Sequence, residues 1–366
     1  MLIKKKNLGF FSKTVMLANL AAIAALFLCY SASIINPKSF WPISFLGLGY
    51  LPILLINLGF IFYWILRKPK YSLFSLIAIL IGWNLMTKHV TFNSPDPVVK
   101  NDSSLRVMTY NVHMLEPVEK TDKPAKDEFT EVIKEVNPDV LCLQEFSSTI
   151  KGNKRFSEKI KSKINFDSYY FAPSQQNEYN AYGQVIFSKF PIINSGLIKK
   201  NEYGINRVIY VDIVKNKDTV RVYNVHLRSF GLQNEDKEFI QNPKTGDGTE
   251  ETKTKQVGRK LKWAFEQRSD QAESLYDHMQ ETKFPKIVMG DFNDTPMSYS
   301  VNLIGKDMKN AFQEKGNGWG VTHFELLPIL QIDYIFCENN FTVNNYKVVK
   351  KKLSDHYPIY ADLRIN

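Results

Sequence analysis

The chain has 366 residues and a formal net charge of +10. That length suits one large domain or two ordinary ones, and that charge would ordinarily point to a polyanionic partner. The distribution removes the second inference: nine basic residues and one acidic residue precede Lys100, leaving 38 basic and 36 acidic in the remainder. A nearly neutral remainder argues against a strongly basic nucleic-acid groove, because Lys and Arg supply most non-specific affinity for phosphates. Cys29, Cys142 and Cys337 each lie in an apolar run. They do not make a disulfide framework and read as buried thiols, with a Cys142–Cys337 bridge as the alternative.

The excess of positive charge flanks apolar segments. Thr14 to Ile35, Ser39 to Leu66 and Tyr71 to Thr87 run 22, 28 and 17 residues without a charge. At about 1.5 Å per residue, roughly 20 residues cross a bilayer core. The pattern therefore predicts a three-helix transmembrane anchor over residues 1–90, with helices near 14–35, 40–66 and 71–87. Pro42 and Pro52 predict that the second helix starts late or kinks. Four lysines precede the first span and Arg67, Lys68 and Lys70 join the second to the third, whereas Lys38 alone separates the first two. Positive loops stay inside, so the expectation is a multi-pass inner-membrane protein, amino terminus cytoplasmic, with everything after Lys88 extracytoplasmic or periplasmic. The alternative for the first stretch is a signal peptide cleaved near Ser31-Ala32-Ser33.

Residues 91–104, with Pro95 and Pro97, read as a linker, and residues 105–366 as one large domain. Leu105 to His113 has strand composition. Phe129, Val132, Ile133 and Val136 then space a helix over about 125–136, and Asp139 to Glu145 is a continuous apolar strand closed by a carboxylate. Further strands are expected over 182–190 and 219–227, the latter ending on His226. The charged stretch 231–262 lacks apolar periodicity and reads as an irregular insertion, followed by an amphipathic helix over about 261–281 that carries Arg268 and Gln271 one turn apart. Lys286 to Met289 is a short β-forming run, and Gly290 ends it so that Asp291 and Asn293 follow a strand's carboxyl end. On a strand these two point the same way; an Asx-turn would place them for local reasons only. Asp333 falls on a strand, and Asp355 and His356 precede the last one.

Asn111, Glu145, His226, Asp291, Asn293, Asp333, Asp355 and His356 all lie at or near strand ends that a stacked sheet can bring to one rim. Carboxylates and amides of this kind suit metal-assisted attack on a phosphate ester: a hard oxygen ligand such as Glu145 holds Mg2+, which keeps most of its waters. No thiolates are offered and the histidines lack zinc spacing, which disfavours zinc.

Read in order, TYNVH, LQE, YNVHL, GDFND, IDYIF and SDHYPI resemble the endonuclease/exonuclease/phosphatase superfamily, from about Arg106 to Leu363. The resemblance implies an α/β (α+β) four-layered sandwich, two mixed β-sheets flanked by helices. It implies Glu145 as ligand of a divalent metal, Mg2+ or alternatively Mn2+, with Asn111 beside it and Asp355 contributing to the metal or the leaving group. Asp291 would activate the attacking water, Asn293 and His226 would bind the phosphate, and His356, aligned by Asp333, would stabilise the pentavalent phosphorus. Arg268 and Gln271 resemble an Arg-x-x-Gln pair, which adds Arg268 as a further phosphate contact. Gln331 stands where many relatives carry Arg. The second glutamate and the active-site tyrosine of some nucleases have no clear counterpart, with Glu178 and Tyr182 as candidates.

The expected activity is a membrane-anchored, metal-dependent phosphodiesterase or nuclease. The alternatives are a lipid head-group phosphodiesterase or phosphatase, and a catalytically silent module that binds a phosphorylated ligand. The expected partners are the bilayer and a nucleic acid or phospholipid substrate, with no obligate protein partner evident.

Overall fold

The computed structural model describes residues 8–96, 103–117, 124–150, 155–241, 250–325 and 330–366. The chain divides into two compact units, one comprising Met1–Thr87 with Met297–Tyr299 and the other Lys88–Pro296 with Ser300–Asn366.

In the first unit, two helices are long and apolar enough to cross a membrane, α1 (Phe10–Ser31) and α2 (Tyr50–Arg67). The expected third span is not one helix. Its core is α3 (Ser72–Ile81), which stops at Gly82 before a four-residue helix at Trp83–Met86. Ten residues rise about 15 Å, roughly half a hydrocarbon core, so α3 does not span one by itself. The second stretch is segmented as its prolines predict: short helices at Pro37–Phe40 and Pro42–Leu48 each begin on a proline, and α2 starts only after Gly49. Proline suits a first helical turn, where its missing N–H is not needed. A buried polar chain ties the three labelled helices. Asn19 donates to Ser75, Ser75 to Asn57, and the Trp64 indole to Asn19. Polar side chains between helices satisfy one another in this way where no water is at hand.

In the second unit six strands carry the chemistry: β1 (Ser104–Asn111), β2 (Val140–Thr149), β3 (Asp218–His226), β4 (Lys286–Asp291), β5 (Asp333–Cys337) and β6 (Ile359–Ile365). One six-stranded sheet holds β6, β1 and β2 as neighbours, and the other holds β5, β4 and β3. The pairs β1–β2 and β3–β4 are parallel and all other pairs are antiparallel, so both sheets are mixed. Each parallel pair needs a crossover helix. These are α4 (Ala125–Val136) and the 32-residue α6 (Glu250–Glu281), the latter preceded by α5 (Asn234–Gln241).

Period-two alternation builds the layers. Val107, Val140 and Cys142 face Val222, Ile287, Met289 and Ile335 across the interior between the sheets. Their neighbours Met108, Tyr110, Leu141 and Leu143 turn outward to pack on α4 and on the helix Phe156–Ile164, while Tyr223, Val225 and Val288 pack on Ala272, Leu275 and Met279 of α6. The result is the expected helix–sheet–sheet–helix sandwich.

Two expectations change. Val90–Phe92, inside the supposed linker, form a strand paired with Asn317–Trp319; residues 97–102 of that linker lie outside the described residues. The supposed irregular insertion is helical over α5 and the start of α6, with residues 242–249 outside the described residues. Its polar sequence hid the helix because Val257, Ala264 and Phe265 are the few buried positions on its early turns. A solvent-facing helix needs no continuous apolar stripe.

Candidate active site

The site is built at the carboxyl ends of the parallel strands. His226 pairs with Asp291 across β3–β4, and Asp333 pairs with Asp291 across β4–β5, so three functional side chains leave one row of the sheet. Asn111, at the end of β1 in the other sheet, donates its Nδ2 to Asp291 Oδ2 at 3.0 Å and joins the two sheets at the rim. Glu145 arrives by a different device. The pairing of β2 with the strand Asn180–Ser188 skips between Leu143 and Phe146, and Glu145 has a φ of 51°. That bulge re-aims its carboxylate to within 3.6 Å of His226 Nε2.

Asp291 is the centre. Its Oδ1 accepts from the Asn293 backbone N–H at 2.8 Å, and its Oδ2 accepts from Asn293 Nδ2 at 3.1 Å as well as from Asn111. Asp291 and Asn293 therefore do sit side by side, by a turn with Asn293 at φ 52° rather than by strand alternation. The Asx-turn and the functional pairing are one arrangement. Two histidines flank the carboxylate, His356 Nε2 at 3.7 Å and His226 Nε2 at 3.8 Å from Oδ2. Gly290 makes the approach feasible: with φ 146°, a Cβ there would run into the Val225 carbonyl.

His356 is held from behind by Asp333, Nδ1 to Oδ2 at 2.8 Å. Burial alone would lower the His356 pKa, but the charges of Asp333, Asp291 and Asp355 raise it well above the ordinary imidazole value. Burial raises the Asp291 pKa against the pull of His356 and His226. Asp355 goes the other way: burial opposes its ionisation, yet the His323 hydrogen bond and the charges of His356 and His113 hold it well below the usual carboxylate range. Groups whose environments push their pKa values apart are what acid and base chemistry needs.

These side chains open into a cleft of about 200 Å3 lined on its polar part by Asn111, Glu145, Asp291, Asn293, Asp355 and His356. Phe230, Leu232, Leu330 and Ile332 supply an apolar part. His226 and Asp333, each 1% exposed, stand behind the lining. His226 is thus placed to brace Glu145 and Asp291, and does not meet the expectation of a direct phosphate contact. Arg268 does not meet it either. It is fully buried, with Nε donating to Asp294 Oδ2 and Nη1 to the Arg228 carbonyl, both at 2.8 Å, and its guanidinium lies 4.5 Å from the Phe230 ring. Gln271 completes the clamp by accepting from the Arg228 N–H and donating to the Asn206 carbonyl. Glu178 and Tyr182 do not line the cleft.

Sequence reasoning missed four contributors. His323 lines the cleft, bridges to His356 through the backbone and places its Nε2 3.7 Å from Asp355. Asn206 holds His226 Nε2 at 3.2 Å. Lys237 reaches the cleft from α5. Beneath the floor, Asn224 spans the sheets by donating to the carbonyls of Leu143 and Val185 at 3.0 Å each and accepting from Gln144 Nε2 at 2.6 Å. Only the last had a local signal, a buried amide inside an apolar strand.

A sandwich whose parallel strands end on a carboxylate–amide–imidazole rim is the site of a phosphoester hydrolase. Residues 108–356 match the Endonuclease/Exonuclease/phosphatase family, and the chain belongs to it. Residues 12–89 match a family described as a domain of unknown function. No curated protein matches the chain. Among solved structures, an endonuclease/exonuclease/phosphatase of Beutenbergia cavernae is similar at 19% identity and a TM-score of 0.53, with 72% of each chain covered. A family protein of Leptotrichia buccalis follows at 16% and 0.50, covering 71% of this chain and all of that one. The human Nocturnin catalytic domain, with a sulfate anion bound, stands at 16% and 0.50, covering 73% of this chain and 97% of that one. These likenesses establish the fold.

Enzymes of this family are generally divalent-metal dependent. The donor set here fits such an ion: Asn111, Glu145 and Asp355 bring oxygens to the cleft, and all three cysteines are buried as free thiols. Asp291, Asp333 and His356 also have donor atoms within 4.8 Å of one another. Within that trio Asp333 Oδ2 is bonded to His356 Nδ1, and Asp291 Oδ2 accepts from Asn111 and Asn293.

Proposed function

We propose that the chain is a Mg2+-dependent phosphodiesterase of nuclease type, anchored in a membrane. The observation that carries the reading is the position of Asp291, set by three neutral donors and flanked by two imidazoles at the floor of an oxygen-lined cleft.

Asn111 and Glu145, with Asp355 near, are the residues that would hold the ion. When bound, a divalent ion supplies a Lewis acid that draws charge from a phosphoryl oxygen. Asp291 orients the attacking water and takes its proton; a carboxylate whose pKa is raised by burial is a stronger base for that step. The Asn293 amide lines the cleft with its Nδ2 donating to Asp291 Oδ2 and to the Leu227 carbonyl, and would meet the phosphoryl group by exchanging one of those bonds. His356 stays protonated because Asp333 backs it, and its Nε2 neutralises charge as it builds on phosphorus. His226 and Asn206 keep Glu145 and Asp291 in register. In-line displacement asks for positioning and charge neutralisation more than covalent chemistry, and this arrangement supplies both.

Two helices long enough to span a bilayer support the anchor, and the clustering of Lys and Arg before the first span and after the second supports a cytoplasmic amino terminus; two crossings then return the chain to the cytoplasmic side, and the extracytoplasmic expectation would need the segment after Arg67 to cross as well. The same helices favour lipid head groups as the second reading of the substrate. The test is a panel of plasmid DNA, RNA, sphingomyelin, phosphatidylinositol phosphates and a chromogenic phosphodiester, with Mg2+ and with chelator. Glu145→Ala and His356→Ala should each abolish turnover while the fold persists. Full activity in either variant, or no turnover of any substrate by the parent chain, overturns the reading. A carboxyl-terminal reporter active only outside the cytoplasm checks the orientation.

A further inference from the structure

Among the described cleft-lining residues Lys237 is the one cation other than histidine. It stands on α5, and its Nζ lies 2.7 Å from Glu325 Oε2. Lys237 lines the cleft and Glu325 stands just outside the lining. Lys237 belongs to the helix between β3 and α6, fixed in place by Asp236, which accepts from the Gln233 N–H and from Lys260. Glu325 follows a segment tied to the catalytic end: His323 bridges to His356, and the Phe324 N–H donates to the Asp355 carbonyl. The ion pair is open to water, with the two side chains 32% and 41% exposed. Exposed pairs of this kind contribute little, so an incoming anion can replace Glu325 with small loss. The same cleft carries the apolar group Phe230, Leu232, Leu330 and Ile332. Phe230 is itself immobilised, stacked on Arg268 and edge-on to Phe265 at 5.7 Å.

We propose that Lys237 is a specificity residue that takes a second anionic group of the substrate, with Glu325 as the group it displaces. The substrate class is then a phosphate ester carrying a further phosphate or carboxylate on a compact, partly apolar organic arm. A simple phosphodiester with an uncharged arm leaves Lys237 on Glu325 and gains nothing from it. The inference rests on the hydrolase reading above and narrows its substrate.

Two chromogenic diesters with one leaving group separate the possibilities: 4-nitrophenyl phenyl phosphate, and its counterpart with a carboxylate at the meta position of the retained phenyl arm. The readout is the ratio of kcat/KM between them for the full-length chain in detergent with Mg2+. Lys237→Gln should lower the ratio about fivefold, through KM of the carboxylated ester, the size expected for one exposed ion pair. Glu325→Gln should raise it, because the competitor for Lys237 is gone, and Lys237→Arg should hold it near the parent value. A purely structural role would shift both esters alike. Hydrolysis of both esters at a ratio that Lys237→Gln and Glu325→Gln leave unmoved, or a shift common to both, overturns the inference and leaves the hydrolase reading standing. Hydrolysis of neither, by a chain that turns over another member of the panel, overturns this inference and leaves the hydrolase reading standing; turnover of no substrate at all overturns both.

Discussion

Asn224→Ala tests whether the rim depends on the polar crosspiece beneath it. The Asn224 side chain is fully buried; its Nδ2 donates to two carbonyls of the opposite sheet and its Oδ1 accepts from Gln144. The substitution removes three hydrogen bonds, those to the Leu143 and Val185 carbonyls, which face each other in the strand ladder, and the one from the Gln144 amide, at roughly 0.5–1.5 kcal/mol each. Gln144 keeps its bond to Thr109 Oγ1 at 2.9 Å, which relieves one of them. The expected loss is about 2–4 kcal/mol, a sizeable part of the roughly 5–15 kcal/mol that holds a domain together. Pulse proteolysis across a urea series reads the midpoint of the sandwich unit separately from the helices of the first unit. Thr109→Val, which removes one bond of the network, should cost about 1 kcal/mol. Because Gln144 precedes the bulge that aims Glu145, kcat in Asn224→Ala should fall even where the fold survives. A loss below about 1 kcal/mol, or a destabilised fold with unchanged kcat, would refute the reasoning.

Gly290→Ala should destabilise by about 3 kcal/mol or more, since it adds overpacking against the Val225 carbonyl to an unfavourable φ. Gly258→Ala, on α6 with nothing within 4 Å of the new methyl, should instead stabilise by up to about 1 kcal/mol, and the two urea midpoints check the contrast. Asp333→Asn should move the alkaline limb of the kcat/KM profile toward acid by about a unit or more, since the carboxylate on Nδ1 helps raise the His356 pKa. The sign for stability follows from the same shift. A raised folded pKa gives a contribution complete below the unfolded value near 6.5 and lost as pH rises through the folded value, so the parent chain should lose stability on the alkaline side and Asp333→Asn should lose less there. Arg268→Met should cost about 3–5 kcal/mol by removing the cation that neutralises the buried Asp294, read by the same midpoints, and a fall in phosphate affinity with the fold intact would restore the direct contact that the geometry denies it.

The tetrapeptide Tyr-Asn-Val-His occurs twice, at 110–113 and 223–226, and shows where sequence stops being sufficient. Alternation and β-forming residues predicted both strands. The pattern did not say where each strand lets go. β1 ends at Asn111, so His113 falls past it at φ 42° and Asn111 turns to Asp291. β3 runs two residues further because β4 pairs with it as far as Asp291, so His226 lies in register there and Asn224 is driven into the interior. Identical letters thus give a rim amide in one sheet and a crosspiece amide in the other. Register is a property of the pair of strands, and only the folded pair reveals it.

The same distinction separates the site residues that were legible from those that were not. Asp291 closes and Asp333 opens an apolar strand, and Glu145 follows the apolar run Val140 to Leu143 at a bulge within a strand that the sequence expected to end there; a carboxylate has no packing reason to be at any of these places, and that local incongruity marked them. His323, Asn206 and Lys237 sit in polar surroundings where their letters are unremarked, and they matter only through partners from 20 to 88 positions away. Arg268 fails in the opposite sense. Its spacing to Gln271 signalled one helical face, and the face is real, but it looks inward to Asp294 and the Arg228 backbone instead of toward the cleft. A helix periodicity tells which residues lie together and not what they lie against. The Phe230 side of the cleft is therefore backed by a buried arginine that does not line it, which is why substrate choice was the part of the function least open to reading from motifs.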